Sequence, residues 1–381
     1  MRTIDLDNNA TTRPTPGVVD ACAKAMTRLW HNPSSVHRPG QEVRAKVELA
    51  RRALADLVGA PPRELILTSG GTESNDLAIR GLLDTSPGRV LITTRIEHAS
   101  IRDLAKELDR KGEAKVRWVE AGRDGRIDPE ALARVLERGA VVSIQWANNE
   151  TGTIQDVAAI AHACRGAGAV FHCDATQMVG KEPVRVSDAD GPDAMTFSPH
   201  KFHGPKGVGG LWVRAGVRLR PRIHGSQELE RRGGTENVPG IVGAGVAAEE
   251  ARAWLADVSK KHEIWALRNE FEARLVRECP GAEINGLGAT RLWNTTNIGF
   301  PGLEAEALLM MLSERGVCAS AGAACSSGSL EPSPVLLAMG VPERIAHGSL
   351  RFSLSRETTA DDVDEAAAII IEAVRSLSGS L

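Results

Sequence analysis

Apolar positions follow two rhythms along the chain. From residue 40 to 214, short β-branched runs bounded by Gly, Asp or Pro alternate with amphipathic stretches of helix length. The runs are "ELILTS", "RVLITT", "KVRWVE", "AVVSIQW", "AVFHCD", "DAMTFS" and "GGLWVR". Between the first five lie "ESNDLAIRGLLD", "SIRDLAKELDRKG", "DPEALARVLERG" and "DVAAIAHACRGAG", each long enough for a right-handed crossover between parallel strands. The pattern predicts a doubly wound α/β sheet, mainly parallel. One long helical stretch is expected from about Asn237 to Cys279. After it the strands become fewer and wider spaced, as "AEINGL", "NTTNIGF", "GVCAS" and "SLRFSLS", with helices "LEAEALLMMLSERG" and "TADDVDEAAAIIIEAVRSL". This change of texture predicts a smaller α+β domain with its boundary near residue 255.

Length supports that division, because 381 residues exceed the roughly 250 at which single cores usually split. The net charge of -3 provides no global positive field, so nucleic acid is not the expected partner. The start, "MRTIDLDNNATT", is acidic where a signal peptide needs an apolar core, and no run reaches the length of a membrane span. A cytoplasmic location without membrane contact is expected. The six cysteines, Cys22, Cys164, Cys173, Cys279, Cys318 and Cys325, are scattered without C-x-x-C spacing, which predicts free thiols and no metal site. The absence of tyrosine excludes a tyrosine acid or base.

In an open α/β sheet the ligand lies beyond the carboxyl ends of the strands. After "ELILTS", Gly70, Gly71 and Thr72 open a helix whose free N–H groups can hold an anion. Glu97-His98 follows "RVLITT", Asn148-Asn149-Glu150 follows "AVVSIQW", and Asp174 with Gln177 closes "AVFHCD". Singly these are ordinary caps and turn formers; a Gly-Gly turn before a helix is common capping. Together they line one sheet edge.

The strongest local signal is Ser198-Pro199-His200-Lys201 followed by "FHGPKGVGG". A lysine beside a histidine and a serine, in a Gly-rich segment between two strands, is poorly explained as solvated surface. It fits an amine that bonds a cofactor aldehyde, with Ser198 and His200 helping to hold a phosphate. A nucleotide site using Lys201 and Lys206 lacks the G-x-x-x-x-G-K-[ST] pattern. A metal held by His200 and His203 lacks a neighbouring carboxylate or thiolate cluster. Pyridoxal phosphate needs an amine, an anion cradle and a carboxylate at the pyridine nitrogen. Lys201, the "SGGT" turn with Ser198 and His200, and Asp174 supply these.

The ordered motifs "DLDNNATT", "NPSSVH", "TSGGTES", "EHAS", "WANNETGT", "HCDATQMVGK", "SPHKFHGPKGVG", "RRGGTENVPGIVG", "SAGAACSSGSLEPS" and "AHGSLRFSLSRETT" span essentially the whole chain. In them the chain resembles the cysteine desulfurases of the class V aminotransferase family, most closely the nitrogen-fixation-type branch. The resemblance implies a fold-type I pyridoxal-phosphate transferase, aspartate aminotransferase-like, with a seven-stranded sheet in a large domain (15–255). A small domain (1–14 and 256–381) would carry a cysteine loop at about 320–333. It implies a homodimer with active sites at the subunit interface, converting L-cysteine to L-alanine and leaving a persulfide on Cys325. The sulfur would pass to an iron–sulfur scaffold or another acceptor protein.

By the same resemblance Lys201 bonds the cofactor, Asp174 partners the pyridine nitrogen, Asn149 and Gln177 contact the ring's 3-hydroxyl region, and His98 stacks on the ring. Gly71, Thr72, Ser198 and His200 match the phosphate cradle, with Thr235 reaching it from the other subunit. Arg351 and Asn32 match the substrate-carboxylate contacts. Two departures are Pro199, where the family usually has Gly, and "SAGAAC", where a serine-richer loop is common.

Cys325 must act as thiolate, and its proton would go to His98 or to the substrate itself. The ordinary reading of a free cysteine, a small buried hydrophobe, fits Cys173 and Cys318 but fits poorly for Cys325 among Ser, Gly and Ala. For Arg351 the ordinary reading is a surface ion pair, yet its β-branched and aromatic setting favours an enclosed partner. Supporting residues before the next helix are Leu330 to Ser333, with Pro332 expected to start it. Selenocysteine lyase or transamination are rivals on the same fold; a cofactor-free sulfur carrier is a rival of another class.

Overall fold

The computed structural model describes residues 2–186, 190–321 and 331–379; Cys325 and most of its loop lie outside the described residues. The strands are β1 (Ile4–Asp5), β2 (Leu65–Thr68), β3 (Val90–Thr94), β4 (Lys115–Val119), β5 (Val141–Gln145), β6 (Val170–Asp174), β7 (Ala194–Phe197), β8 (Gly209–Val213), β9 (Glu283–Ile284), β10 (Thr295–Gly299), β11 (Val317–Cys318) and β12 (Ser349–Ser353). The seven β-branched runs form one sheet in the order β2-β8-β7-β6-β5-β3-β4. Only β8 pairs antiparallel, to β2 and β7; the other pairs are parallel.

Both faces of this sheet are covered, which is why its strands read as continuous apolar runs. Leu65 and Leu67 of β2 pack with Val43, Val47 and Leu54 of helix Arg38–Val58 and with Ile241 and Ala244 of helix Val238–Leu255. Ile66, between them, points the other way, into Leu77 and Leu82 of helix Gly71–Leu83. Each such side chain, sealed from water, contributes about 1.5–3 kcal/mol. At Gly210 of β8 a Cβ would lie 2.3 Å from the ring of Phe197 on β7, so only glycine lets that ring pack across the sheet.

The expected single helix from Asn237 to Cys279 is two. Val238–Leu255 ends, and Asp257 caps a new helix, Val258–Glu278, by accepting from the Lys260 N–H. The first packs against helices Pro16–Arg28 and Arg38–Val58; the second packs with Ala360–Ser378 beneath a three-stranded sheet, β12-β10-β9. Strand β1 pairs parallel with β11. This pairing buries Val317 and turns Cys318 outward, so Cys318 is exposed and not the buried thiol expected from sequence. The helix after the cysteine loop starts at Pro334, not Pro332. Ser333 caps it by accepting from the Val335 and Leu336 N–H groups, and Pro334 takes the first helical position, where a missing N–H costs nothing.

Candidate active site

The carboxyl ends of β2, β3, β5, β6 and β7 open on one cavity of about 260 Å³. Nine expected residues line it: Gly71, Thr72, His98, Asn149, Asp174, Gln177, Ser198, His200 and Lys201. Asn75, Ser100, Gln145, Ala147 and Thr176 complete the wall and were not read from the sequence. Two of these had a signal, since Asn75 is a polar residue on the inward face of a helix and Gln145 sits in a β-branched run.

Local chain geometry places each group. Gly70 precedes helix Gly71–Leu83 without a side-chain cap, so backbone donors at its start are left to a ligand. A Cβ at Gly71 would come within 3.2 Å of Thr176 Oγ1 and 3.7 Å of Ser198 Cβ. Thr176 Oγ1 is itself buried with no hydrogen-bond partner among the described residues. A hollow walled by an uncapped helix start and an unsatisfied hydroxyl matches a phosphate. Pro199 is accommodated because Gly204 folds against it, where a Cβ would be 2.6 Å from Pro199 Cβ.

Asp174 is buried at the end of β6. Asn75 Nδ2 donates to its Oδ2 at 2.9 Å and the Thr176 N–H to its Oδ1 at 3.0 Å. His98 caps helix Ala99–Arg110, its Nδ1 accepting from the Ser100 N–H at 3.1 Å. Burial lowers its pKa, against the attraction of Asp174, so the ring is neutral at pH 7 with its proton on Nε2. Burial, reinforced by Lys201 and Lys206, pushes His200 down to about 4. His200 Nδ1 lies 3.2 Å from Thr11 Oγ1. Lys201 Nζ donates to the carbonyls of Asn9 and Ala10, both at 2.7 Å.

Three expected residues lie elsewhere. Arg351 is buried on β12, where Nη2 pairs with Asp7 Oδ1 at 2.6 Å and Nη1 donates to the Asn149 carbonyl at 3.2 Å. Its Nε has no partner among the described residues. Asn32 is exposed and turns its carboxamide oxygen to the Ser34 N–H at 2.8 Å; Thr235 is exposed. Neither lines this chain's cavity. No group of three or more His, Cys, Asp or Glu among the described residues could hold a metal ion. The carboxylate, the lysine and the anion hollow fit pyridoxal phosphate, which asks for those three functions.

Comparison with known proteins agrees with this geometry. "Cysteine desulfurase 2" of Trichormus variabilis is 45% identical over 384 residues, covering 99% of this chain and 95% of that protein. "Cysteine desulfurase" of Gluconacetobacter diazotrophicus is 45% identical over 385 residues, covering 99% and 96%. Among solved structures, a protein described as "NIFS-LIKE PROTEIN" superposes with a TM-score of 0.89 at 36% identity, covering 97% of this chain and 98% of that one. "SspA in complex with cysteine" gives 0.80 at 30% identity, covering 94% and 100%. The sequence model for aminotransferase class-V matches residues 4–366, so sheet, cavity and motifs alike place this chain in the class-V aminotransferase family of pyridoxal-phosphate enzymes.

Proposed function

We propose that the protein is a cysteine desulfurase, which takes the sulfur of L-cysteine onto Cys325 and releases L-alanine. The observation that carries this reading is the single cavity lined by nine of the residues expected to hold the cofactor, in a chain 45% identical to cysteine desulfurases along its length.

When bound, pyridoxal phosphate supplies an electron sink next to the substrate's Cα. Residues of this chain supply the rest. Gly71, Thr72, Ser198 and His200 would hold the phosphate, and the neutral His200 imidazole suits donation to it. Asp174, fixed by Asn75 and Thr176, would keep a proton on the ring nitrogen. Lys201 supplies the bonding amine and moves the Cα proton. His98 would stack over the ring. With Nδ1 accepting from the Ser100 N–H, its other nitrogen carries the proton and offers no lone pair for the Cys325 proton, which favours the substrate as that base. Arg351, whose Nε is unsatisfied, would receive the substrate carboxylate beside Asn32.

A homodimer is part of the same proposal. Thr235 is exposed, as a residue serving a second subunit's phosphate must be. Residues Pro33, Ser34 and Leu229 share a groove of about 680 Å³, and Trp30 and Val36, near the first two in sequence, are exposed. The sulfur acceptor would be an iron–sulfur scaffold protein, as in the nitrogen-fixation-type branch, and the setting cytoplasmic; no helix among the described residues is long and apolar enough to cross a membrane. The division into 15–255 and 1–14 with 256–381 is supported by an apolar cluster on the three-stranded sheet apart from those on the seven-stranded one, while Leu292 and the stretch from Val335 to Ala346 pack with the large sheet's clusters.

The test is direct. Protein loaded with pyridoxal phosphate should yield sulfide and alanine from L-cysteine, and Cys325→Ala should lose at least about a hundredfold in turnover while keeping the cofactor's absorption. Full turnover in that variant would sink the reading.

A further inference from the structure

Beyond Gln177 the chain turns at Gly180, with φ +79, and ends on Lys181, whose side chain is only 4% exposed. The turn is crowded as well as left-handed, since a Cβ at Gly180 would lie 2.4 Å from Phe202. Trp293 Nε1 pins the Lys181 carbonyl at 2.9 Å. The Lys181 amine donates to Asn9 Oδ1 at 2.7 Å and to Gln177 Oε1 at 2.5 Å. No carboxylate pairs with it among the described residues.

A buried amine at this position favours amides that turn their oxygens toward it. An ammonium only donates, and a neutral amine still carries two N–H groups, one for each oxygen, beside a single lone pair. In the structure each amide does turn its oxygen inward, and Asn294 Nδ2 donates to the same Asn9 Oδ1 at 3.1 Å. The Gln177 Nε2 is left to donate to the Asn9 carbonyl at 3.0 Å, and among the described residues that is its one acceptor. The Asn9 Nδ2 donates to the Asn149 carbonyl at 3.1 Å and to Thr295 Oγ1 at 2.9 Å. The Asn9 carbonyl also takes a bond from Lys201. Lys181 thus sits behind Gln177, Asn149 and Lys201, all of which line the cavity, without lining it itself.

We propose that Lys181 is a positioning residue of this site, one that fixes the Gln177 amide so that its N–H side faces the ring oxygen of the bound cofactor. The proposal rests on the reading of Gln177 as a contact to that oxygen. Donation to the ring oxygen favours its anion and so lowers the pH at which the lysine-bound cofactor gives up its proton. The charged and titratable groups that share this setting are Lys201 and His200 after β7, Asp174 on β6, His98 after β3, and the Arg351–Asp7 pair. Burial, then Lys201 and Arg351, hold the Lys181 amine well below its usual range. Both protonation states retain the two N–H donors that meet the amide oxygens.

The test is a double-mutant cycle read in the absorption of the bound cofactor, titrated from pH 5 to 10. Lys181→Met should raise the titration midpoint by about one unit, as should Gln177→Met, and the double variant should move it no further than Gln177→Met alone. Lys181→Gln keeps one donor and should shift the midpoint in the same direction by less. If Lys181→Met does not fold, the Lys181→Gln shift and its absence in the Gln177→Met background carry the comparison. A wild-type midpoint in the Lys181 variants with a shifted one in Gln177→Met overturns the positioning role alone. An unshifted Gln177→Met overturns the underlying reading of Gln177. Additive shifts would show that Lys181 acts through its own charge, which also overturns the proposal.

Discussion

Glu97 shows how one buried atom group shapes the response to pH. It lies wholly inside the protein after β3, its Oε1 accepting from Thr94 Oγ1 at 2.8 Å and from the Gln145 N–H at 3.1 Å. Burial, with the nearby Asp174 charge, pushes its pKa up to about 8 despite those bonds. Between its ordinary value of 4.5 and about 8 the unfolded chain releases a proton that the folded chain keeps. Stability therefore falls as pH rises through that window and is level above it. Glu97→Gln retains the shape and the acceptor, so the wild type should lose up to about 1.4 kcal/mol per pH unit relative to the variant between pH 5 and 8. Urea unfolding midpoints of both proteins at three pH values measure this, and a pH-independent difference would contradict it. The sequence shows Glu97 beside His98, but nothing local reveals that its carboxyl is sealed. For Arg351 the β-branched and aromatic run does point to an enclosed partner, but nothing local names Asp7, which is 344 residues away.

Helix starts and strand ends were the legible part of the site, because each is written in a few consecutive residues. "SGGTES", "EHAS" and "SPHK" announced their turns through glycine, histidine caps and proline, and the structure brings all three to one cavity. Less legible were the break at Asp257, where one capping aspartate interrupts a strong helical rhythm, and Thr176, whose role depends on what stands across the hollow. The helix start at Gly71 yields a direct measurement. Gly71→Ala places a methyl against Thr176 while improving helix propensity. Cofactor affinity should fall about tenfold, or ~1.4 kcal/mol, with no loss of apoprotein stability. Fluorescence titration of the apoprotein with pyridoxal phosphate measures the first and thermal unfolding the second; unchanged affinity would mean that the phosphate lies elsewhere.

At the scale of the whole molecule, the proposed homodimer can be tested at the exposed Thr235. If Thr235 completes a neighbour's site, mixing Lys201→Ala protein with Thr235→Glu protein restores function that neither has alone. Half of randomly reassociated dimers are mixed, and each mixed dimer holds one site with both residues intact, so about one quarter of wild-type turnover is expected. Turnover that stays at the level of the separate variants would place Thr235 in its own subunit's site or in none. Pairing of distant segments was the least legible level, because hydrophobic rhythm specifies faces but not which strand lies beside which. The order β2-β8-β7-β6-β5-β3-β4 and the β1–β11 pair are properties of the assembled chain.

The segment around Asn9 has a consequence for the order in which the protein forms. Asn8 Nδ2 donates to the Ser353 carbonyl across 345 residues, Asn9 meets Thr295 across 286, and Asn9 and Ala10 supply the carbonyls that receive Lys201 Nζ. During synthesis the residues that hold the lysine amine emerge long before their own anchors on β10 and β12, which follow 286 and 345 residues later. The large sheet has all its strands once Val213 is made, but the setting of Lys201 waits for Ser353. A nascent chain therefore passes through a stage with a formed sheet and an unfinished amine pocket. Competence to capture an aldehyde cofactor becomes a late event of biosynthesis, one that waits for synthesis through Ser353.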